Sequence, residues 1–564
     1  MDRNTLLAFA LSMLVFASYV MYQENQRTQF QAEAELREAS FELEETASSD
    51  TTGYSSLPRD PVEPRLRQTP PIPIEPPARL IPLSIVTIQN ANVTAKISNG
   101  PALIEGWELR EYQEFVPDGE ILVDLIHRDY PVLQTEIRGV SGADFAGARF
   151  EIIHQSEREV VQRAQNAAGV LTRRIRLDES GYGFDLEMTF ESHRNDPVDA
   201  SFELSWPAGI SDREDFREVS LVAYGEDEGV TRTLIQSVGK PGILGFGGGE
   251  DGTEIVEGRS RWVGFDIQYF VGVVIDPDEH AGLKVRFEAL ESGESAEARV
   301  TLTSVSIGPG GSFTRSLRGF MGPKTADSLA EAGFGLKHSV NRGFSWLEPL
   351  TRFFEIALDK LYGIIPNYGL AIIVLTIIVR ICTAPLMAKQ MRSAERMRAL
   401  QPRMKELQER YKDDRAKQSE ATMKLYREEK VNPIAGCLPL LLQFPVLIGL
   451  FYALRSSIGL RHAPFALWIT DLSQPATLFV VPGLDFPIRL LPLIMGASMY
   501  VQQKMTPMTG MDPTQARMML IMMPGMMLFI SYTFPSGLVL YWTVSNLLGI
   551  AQQYWIRSKT QPAS

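Results

Sequence analysis

The sequence contains little cysteine and histidine, the residue types that build disulfide frameworks and most metal sites. Its 564 residues include two cysteines and six histidines. Both cysteines, Cys382 and Cys437, lie in or beside apolar runs, and their spacing matches no metal-ligand motif. The sequence therefore predicts no disulfide framework and no metal site, and we expect both thiols to be small buried hydrophobic groups.

Motifs for nucleotide binding and for hydrolytic chemistry are also missing. The glycine run GFGGGEDG (245–252) departs from the phosphate-loop pattern and predicts a turn. His127, His154, His193 and His280 lie far apart in the sequence, with no nucleophile motif beside them. We therefore predict no catalytic residues, no enzymatic activity and no cofactor.

The charge is divided unevenly along the chain. Residues 1–345 carry 32 Lys and Arg against 54 Asp and Glu, a net charge of −22. From Trp346 onward there are 23 Lys and Arg against 14 Asp and Glu, a net charge of +9. The acidic balance argues against nucleic-acid binding by the first half. The sequence predicts an acidic β half joined to a basic, helical half that spans a membrane.

Three segments make up the first half. Residues 1–22 are apolar and long enough to cross a bilayer, and a weak cleavage signal favours an uncleaved anchor over a signal peptide. Residues 23–80 are rich in Gln, Glu, Ser, Thr and Pro, which predicts a disordered linker. Residues 81–320 alternate apolar and polar side chains, as in FDLEMTFES (184–192), and predict a large all-β sandwich.

The sequence of the second half predicts a connector followed by membrane helices. Residues 321–366 end in a helix with an apolar stripe, which predicts either a helix in the membrane interface or one packed on the sandwich. Residues 367–384 predict the second span, and residues 432–564 predict spans three to six with a short cytoplasmic tail. The spans expected in that last segment are Pro433–Leu454, Ile488–Gln503, Met518–Phe534 and Leu538–Trp555. The predicted fold is thus a six-span α-helical bundle, made of an N-terminal anchor and a five-helix core.

Residues 385–431 differ from the spans on either side. Between Lys389 and Lys430 there are 13 Lys and Arg against 8 Asp and Glu. Two short heptad runs, 397–411 and 416–426, flank a turn and predict an antiparallel helical hairpin, with a kink at Pro402. The basic excess places this hairpin in the cytoplasm, so both termini are cytoplasmic and the β domain is external. The loop 455–486 is amphipathic, and we expect it to lie along the outer membrane interface.

One charged residue, Arg380, lies inside the second predicted span. A charge at membrane depth costs about 2.5–3.5 kcal/mol on insertion scales and marks a functional site by default. The alternative is that Arg380, near one end of its run, reaches the lipid headgroups. The spans place no acidic residue at comparable depth, whereas Gln443, Ser545 and other neutral polar residues recur there. This pattern favours a wet cavity whose transient guest supplies the counter-charge.

Methionine dominates the fifth predicted span. Its methionines recur at helical spacing and cover about half of the helix surface: Met518, Met519, Met522, Met523, Met526 and Met527. Methionine is flexible and polarizable, so it suits a surface that must accept many apolar partners. The stripe predicts either an adaptable groove for hydrophobic helices or ordinary packing against lipid and core.

Five stretches of the sequence resemble the YidC/Oxa/Alb family of membrane insertases, in its Gram-negative type with a large periplasmic domain. They are TIIVR…APL (376–386), KVNPIAGCLPLLLQFP (430–445), LRHAPFALWITDLS (460–473), FPSGLVLYWTVSN (534–546) and, in the β half, GRSRWVGFDIQYF (258–270). The resemblance implies an insertase and chaperone of the bacterial inner membrane. Its hydrophilic groove would open to cytoplasm and lipid and be closed to the outside.

The resemblance also implies roles for individual residues. The residues expected to line the groove are Arg380, Thr376, Gln443, Tyr541, Trp542 and Ser545. Those expected along the path of the client helix are Phe444, Met519, Met522, Met523 and Met526. Those expected to make cytoplasmic contacts are Arg396, Arg398, Arg403 and Lys405. Many members of the family have tyrosine where this chain has Trp542, so the chain lacks a phenol at that position.

The implied partners are newly made membrane proteins, the Sec translocon with its accessory subunits, and the lipid bilayer. The basic hairpin is the candidate contact for the ribosome or for signal-recognition targeting factors, and no direct nucleic-acid partner is expected. Three other classes compete with this interpretation. A transporter predicts paired ionisable groups and internal repeats, an intramembrane protease predicts a nucleophile and base, and an external binding module needs one span. The sequence shows neither paired ionisable groups with internal repeats nor a nucleophile placed with a base. The five later spans argue against an external binding module, because one span would be enough to anchor it.

Overall fold

The computed structural model describes residues 81–116, 119–211, 218–240, 252–278, 282–290, 294–411, 414–429, 438–481, 486–505 and 513–560. The predicted anchor (1–22) and linker (23–80) lie outside these residues, as do Cys437 and most of the glycine run. The chain divides into two compact units, and one of them joins Leu80–Met511 with Met518–Ser564. That unit contains both the β domain and the helical domain.

The described residues contain twenty-one strands, nineteen of them in the β domain. They are β1 (Ile85–Gln89), β2 (Val93–Ser98), β3 (Ile104–Val116), β4 (Gly119–Asp124), β5 (Gln134–Arg138), β6 (Glu151–Gln155), β7 (Glu159–Gln165), β8 (Gly169–Leu177), β9 (Gly183–Ser192), β10 (Val198–Gly209), β11 (Ser220–Gly225), β12 (Gly229–Leu234), β13 (Thr253–Ile255), β14 (Trp262–Asp266), β15 (Phe270–Ile275), β16 (Lys284–Ala289), β17 (Ser295–Thr301), β18 (Val305–Ile307), β19 (Ser312–Pro323), β20 (Phe479–Val481) and β21 (Phe486–Ile488).

The strands form two large antiparallel sheets and two smaller ones. The largest sheet has nine strands in the order β12-β11-β14-β15-β19-β9-β8-β7-β6. A second sheet has the order β13-β16-β17-β10-β18, with β5 also paired to β10. A four-stranded sheet follows the order β1-β2-β3-β4, and β20 pairs with β21 inside the helical domain.

The two large sheets share one hydrophobic core, to which β10, β14 and β19 all contribute. The rings of Trp206 on β10 and Phe265 on β14 lie 6.1 Å apart, and Phe202 on β10 stacks on Phe313 of β19 at 4.5 Å. Along β9, side chains alternate between buried and partly exposed positions, as the sequence pattern predicts. The alternation arises because successive side chains of a strand point to opposite faces of the sheet.

Arg173 on β8 is a charged side chain buried within this domain. Its guanidinium donates to the carbonyl oxygens of Pro101 at 2.7 Å and Gly100 at 2.8 Å, and to Oε1 of Gln162 at 2.8 Å. It also lies 3.5 Å from the ring centroid of Phe150. Burial lowers the pKa of Arg173 to about 9, so the side chain stays charged at neutral pH. Arg173 thereby ties the nine-stranded sheet to the loop between β2 and β3.

Nine α-helices follow in the described residues. They are α1 (Ala326–Ala332), α2 (Glu348–Ile364), α3 (Tyr368–Ala399), α4 (Gln401–Arg410), α5 (Arg415–Glu428), α6 (Leu438–Ser456), α7 (Leu490–Met505), α8 (Pro513–Ser531) and α9 (Ser536–Thr560). One segment of these helices, Tyr368–Pro385, is both long and apolar enough to cross a membrane; Phe444–Ser456 and Arg517–Ser531 are shorter apolar segments. The five spans predicted from residue 367 onward overlap, in chain order, helices α3, α6, α7, α8 and α9.

Helix α3 extends beyond the span predicted for residues 367–384. It continues through Pro385 to Ala399 as one 32-residue helix, so the apolar span and the start of the basic segment form a continuous rod. Only Leu400 separates the end of α3 from the start of α4, and Pro402 lies in the first turn of α4. A proline at that position loses no helical hydrogen bond, because the N–H groups of the first turn have no partner in the helix. The predicted kink at Pro402 is therefore a helix boundary.

Helices α4 and α5 form the antiparallel pair that the heptad runs predict. The Tyr426 hydroxyl donates to Sδ of Met404 at 3.3 Å, and Arg403 pairs with Glu429 at 2.5 Å. The expected register is wrong at Met423, which is exposed, whereas Leu425 is buried against α4. Tyr426 is buried as the stripe predicts, so the apolar face of α5 is centred on Leu425 and Tyr426.

The helical domain has its own hydrophobic cluster, with buried residues on α2, α3, α6, α7 and α9. Helix α2 joins it through Phe354 and Leu358, so α2 packs on the helical domain, and the alternative of packing on the β sheets is wrong. Trp346 and Phe353 remain more than half exposed beside it. Cys382 is exposed too, so its expected burial is wrong, because two residues along a helix turn it about 200° away from Arg380.

Candidate functional site

Arg380 lies inside the helical domain and is 8% exposed. Its guanidinium donates two hydrogen bonds to Oγ of Ser545 on α9, from Nε at 3.1 Å and from Nη2 at 2.7 Å. In the part of the chain that the structure describes, no carboxylate lies within ion-pair distance of Arg380. A neutral hydroxyl therefore orients the guanidinium and leaves its positive charge uncompensated.

Helix α9 makes further polar contacts with α7 and α3. The amide of Asn546 donates to Oγ of Ser498 on α7 at 3.2 Å, and Gln552 donates to the carbonyl of Ala384 on α3 at 3.4 Å. At Gly549, an added Cβ would lie 2.5 Å from the amide nitrogen of Gln502. The glycine thus lets α7 approach α9 closely, on the same face of α9 as Ser545 one turn earlier.

Sequence reasoning missed part of this polar group. Asn546, Ser498 and Gln552 are not among the residues that the sequence predicts to line the groove. Ser498 is a small residue in an apolar helix, so no local signal distinguishes it. For Gln552 the available signal is its spacing from Ser545, since residues i and i+7 lie near the same helix face. Asn546, at i+1, is rotated about 100° from Ser545, so this spacing does not point to it.

The other residues expected to line the groove differ in their surroundings. Thr376 is 1% exposed and its hydroxyl donates to the carbonyl of Ile372 at 2.6 Å. Tyr541 is equally buried, with its hydroxyl in hydrogen-bonding reach of Ser545. Trp542 is partly buried and stacks on Phe534 at 6.1 Å. The structure thus brings Arg380, Tyr541 and Ser545 together, whereas Thr376 satisfies its hydroxyl within α3. The side chain of Gln443 lies outside the described residues.

The residues expected along the client path lie on α6 and α8. Phe444 on α6 is 55% exposed, and Met526 on α8 is 48% exposed. Met523 accepts a hydrogen bond from the amide of Gln503 on α7 at 3.5 Å, which places it beside the polar contacts of α7. Met519 and Met522 are partly buried. The two helices therefore present accessible apolar side chains, and the methionine stripe is divided between packing and exposure.

The cytoplasmic contact residues lie on the α3–α5 arm. Arg396 is exposed near the end of α3. Arg403 is exposed as well, although it pairs with Glu429. The side chains of Arg398 and Lys405 lie outside the described residues.

A loop covers the ends of α3 and α9 that lie away from the hairpin. Asn367 donates to the carbonyl of Phe465 at 3.3 Å, just before α3 begins. At the start of α9, Ser536 Oγ donates to the carbonyl of Asp471 at 2.6 Å and Gly537 N to that of Leu472 at 2.9 Å. The helical domain is thereby capped at the end opposite to α4 and α5.

Two family profiles match the chain. Residues 85–356 match the "YidC periplasmic domain", and residues 360–563 match the "60Kd inner membrane protein" family. The two matches fall on the β domain with its connector and on the helical domain, respectively.

Individual relatives match over shorter lengths, and each carries the name "Membrane protein insertase YidC". The protein from Geobacter metallireducens is 36% identical over 406 residues, 70% of this chain and 69% of the relative. That from Pelobacter propionicus is 43% identical over 306 residues, 54% of this chain and 55% of the relative. That from Syntrophus aciditrophicus is 37% identical over 381 residues, 67% of this chain and 65% of the relative. The chain thus spans between about half and two thirds of these curated relatives.

Proposed function

The chain belongs to the YidC family of membrane protein insertases, and on that premise we propose that it inserts, folds and helps assemble inner-membrane proteins. It is an inner-membrane protein with a large β-sheet periplasmic domain and a helical membrane domain, and it is not an enzyme. Insertion moves a polypeptide between water and lipid and changes no covalent bond. The protein must therefore lower the cost of carrying polar groups across hydrocarbon.

The observation that carries the proposal is the uncompensated charge of Arg380. A guanidinium has five N–H donors, and two of them bond Ser545. An arginine at membrane depth normally pairs with an acid or faces a polar cavity. A client's hydrophilic segment, rich in carboxylates or peptide carbonyls, supplies the missing acceptors for the time that it occupies the site.

The mechanism follows from this charge and from the two apolar helices. The client's short hydrophilic segment enters from the hairpin side and is attracted by Arg380, while its apolar helix moves between Phe444 on α6 and the methionines of α8 into lipid. Burial of apolar surface in hydrocarbon drives the step, at about 25 cal/mol per Å². The membrane potential adds about 2.3 kcal/mol per 100 mV for each negative charge moved outward.

In the proposed architecture the protein crosses the membrane six times, once with the anchor (1–22) and five times with the helices of the core. The hydrophilic groove is open to the cytoplasm and to lipid. The cap that bonds Asn367, Ser536 and Gly537 supports closure on the periplasmic side. Both termini are then cytoplasmic, and the α4–α5 hairpin extends into the cytoplasm.

The proposed partners follow from the same arrangement. Newly made membrane proteins are the clients, and the Sec translocon with its accessory subunits works beside the protein for larger ones. The exposed basic side chains Arg396 and Arg403, with Arg398 and Lys405 nearby in sequence, support contact of the hairpin with the ribosome or targeting factors. These charges would make that contact weaken as salt increases.

Reconstitution of the purified protein in liposomes tests the proposal directly. A small client with an acidic translocated segment is added, and protease protection reports the inserted fraction. We expect Arg380→Ala to lower that fraction at least tenfold, since a hydrogen bond to a charged group is worth about 1.5–3 kcal/mol. Arg380→Lys should retain part of the activity, because it keeps the charge.

Cys382→Ser, two residues away on the exposed face of α3, is the matched control and should behave like the wild type. A client whose translocated segment is uncharged should depend less on Arg380. Full insertion of the acidic client by Arg380→Ala, at equal reconstitution, would contradict the proposal. Solute flux through the liposomes without client insertion would favour a transporter.

A further inference from the structure

Helix α6, which carries Phe444, is held in the molecule chiefly by helix α2. Within the described residues α6 packs mainly against α2, and less extensively against α3 and α9. Leu450 and Ala453 of α6 are buried with Phe354 and Leu358 of α2 in the cluster of the helical domain. The position of α6 beside the groove therefore depends on how firmly α2 holds it.

The middle of this helix pair is apolar and close. A Cβ added at Gly449 of α6 would lie 3.3 Å from Cγ of Leu350 and 3.4 Å from Cε2 of Phe354, both on α2. Contacts this tight leave little room for a larger residue. However, an apolar contact between two helices resists separation better than it resists sliding or rotation, because dispersion is not directional.

Directional contacts are found at the periplasmic end of the pair. Glu355 on α2 accepts from Nε of Arg342 at 3.0 Å through one carboxylate oxygen, and from Oγ of Ser456 on α6 at 2.8 Å through the other. The Arg342 and Glu355 side chains are each 18% exposed, so this ion pair is mostly shielded from water. The carboxylate thus joins three elements: the connector before α2, α2 itself, and the last turn of α6.

The connector is brought to α6 by a glycine. Gly343 has a φ of 79°, in the left-handed region that favours glycine, and an added Cβ would lie 2.4 Å from the ring of Tyr452 on α6. Beside it, the Thr351 hydroxyl donates to the carbonyl of Arg342 at 3.3 Å. The turn at residues 342–343 therefore rests on the ring one turn before Ser456.

We propose that Arg342, Gly343 and Glu355 are positioning residues that fasten the periplasmic end of α6 to α2 and so hold Phe444 in place along the client path. The inference rests on the proposed function. Phe444 lies twelve residues before Ser456, about 18 Å along the helix, so a small tilt at the fastened end becomes a large displacement at Phe444.

The test measures insertion and the place of Phe444 in the same samples. Liposomes contain full-length protein with a photo-crosslinking amino acid at position 444, and two clients are compared, one with an acidic and one with an uncharged translocated segment. We expect Glu355→Gln and Gly343→Ala each to lower insertion and crosslinking of both clients at least threefold. Glu348→Gln is the matched control, because Glu348 lies 3.7 Å from the same arginine and is half exposed.

A tether separates positioning from folding. In a chain with Cys382→Ser and Cys437→Ser, the pair Glu355→Cys and Ser456→Cys is closed by a short bifunctional thiol reagent. Closing the tether should restore insertion and the crosslink at position 444. Activity in Glu355→Gln equal to that of Glu348→Gln, or a loss that the tether does not restore, would overturn the inference. Failure of the wild type to insert either client would instead count against the proposed function.

Discussion

Ser545 on α9 accepts both hydrogen bonds that orient Arg380 on α3, 165 residues earlier in the chain. A serine can fix the direction of a guanidinium without cancelling its charge, whereas an aspartate or glutamate at the same place would form a permanent ion pair. The helical domain thus keeps a buried positive charge oriented without a permanent counter-ion, as the proposed insertion of acidic segments requires. It also makes Ser545 a separable part of the site.

We expect Ser545→Ala to lower insertion of an acidic client by about threefold, which is less than the loss expected for Arg380→Ala. The guanidinium keeps its charge and loses only the hydroxyl that orients it. Liposome insertion of the single and double variants provides the measurement. Because Ser545 acts through Arg380, the double variant should insert no worse than Arg380→Ala alone. Additive losses would show that Ser545 contacts the client independently.

The loop between α6 and α7, which caps the ends of α3 and α9, should lie in the lipid interface. Leu467 is 88% exposed and has a φ of 56°, and Phe479 and Phe486 on the β20–β21 hairpin are each more than half exposed. Asp471, in the same loop, accepts from the backbone N–H and the hydroxyl of Ser473, each at 2.7 Å. Exposed apolar side chains thus gather on this loop, and burying one leucine in lipid gains about 1.5–3 kcal/mol.

A nitroxide label at Leu467→Cys, in a chain with Cys382→Ser and Cys437→Ser, measures this. We expect the label to be relaxed strongly by oxygen, which concentrates in lipid, and weakly by an aqueous nickel chelate. The matched control is a label at Ile255→Cys, an exposed apolar position on β13 of the β domain, which should show the opposite preference. Equal relaxation of the two labels by the nickel chelate would contradict a cap in contact with lipid.

Glu203 should make the β domain sensitive to acid. It accepts from Arg138 at 2.8 Å and from Arg299 at 3.2 Å. Burial by itself would raise the pKa of Glu203, but the two guanidinium groups hold it below its ordinary value. The folded state thus binds this proton less readily than the unfolded state. The stabilisation is therefore present at neutral pH and lost as the pH falls below about 4.3 through the folded-state pKa.

Accordingly, Glu203→Gln should lower the midpoint of thermal unfolding at pH 7, and the difference from the wild type should narrow toward pH 3. The measurement is thermal unfolding of the full chain in detergent, followed by tryptophan fluorescence. Glu191→Gln, an exposed position on β9, is the control and should unfold like the wild type at both pH values. A difference that stays constant with pH would show that Glu203 stabilises the sheet by packing alone.

Local patterns determined much of this protein before any packing was known. Alternation in β9, the apolar run that ends near Arg380 and the basic heptads before residue 430 each report how one element meets water, lipid or core. Such patterns place Arg380 inside an apolar helix. They also predict the four later spans, which overlap α6, α7, α8 and α9. The antiparallel hairpin follows from them too, although Leu425 rather than Met423 is buried in it.

Tertiary structure decided which polar groups meet. Ser545, Ser498 and Gln552 become partners of Arg380, Asn546 and Ala384 only because α9 packs between α3 and α7, and no periodicity encodes that arrangement. The same holds for Glu355, which bonds both Arg342 and Ser456, the latter 101 residues later in the chain. A sequence pattern reflects the burial free energy of a single element, whereas a hydrogen bond between helices depends on their relative position and rotation, which many distant contacts set together.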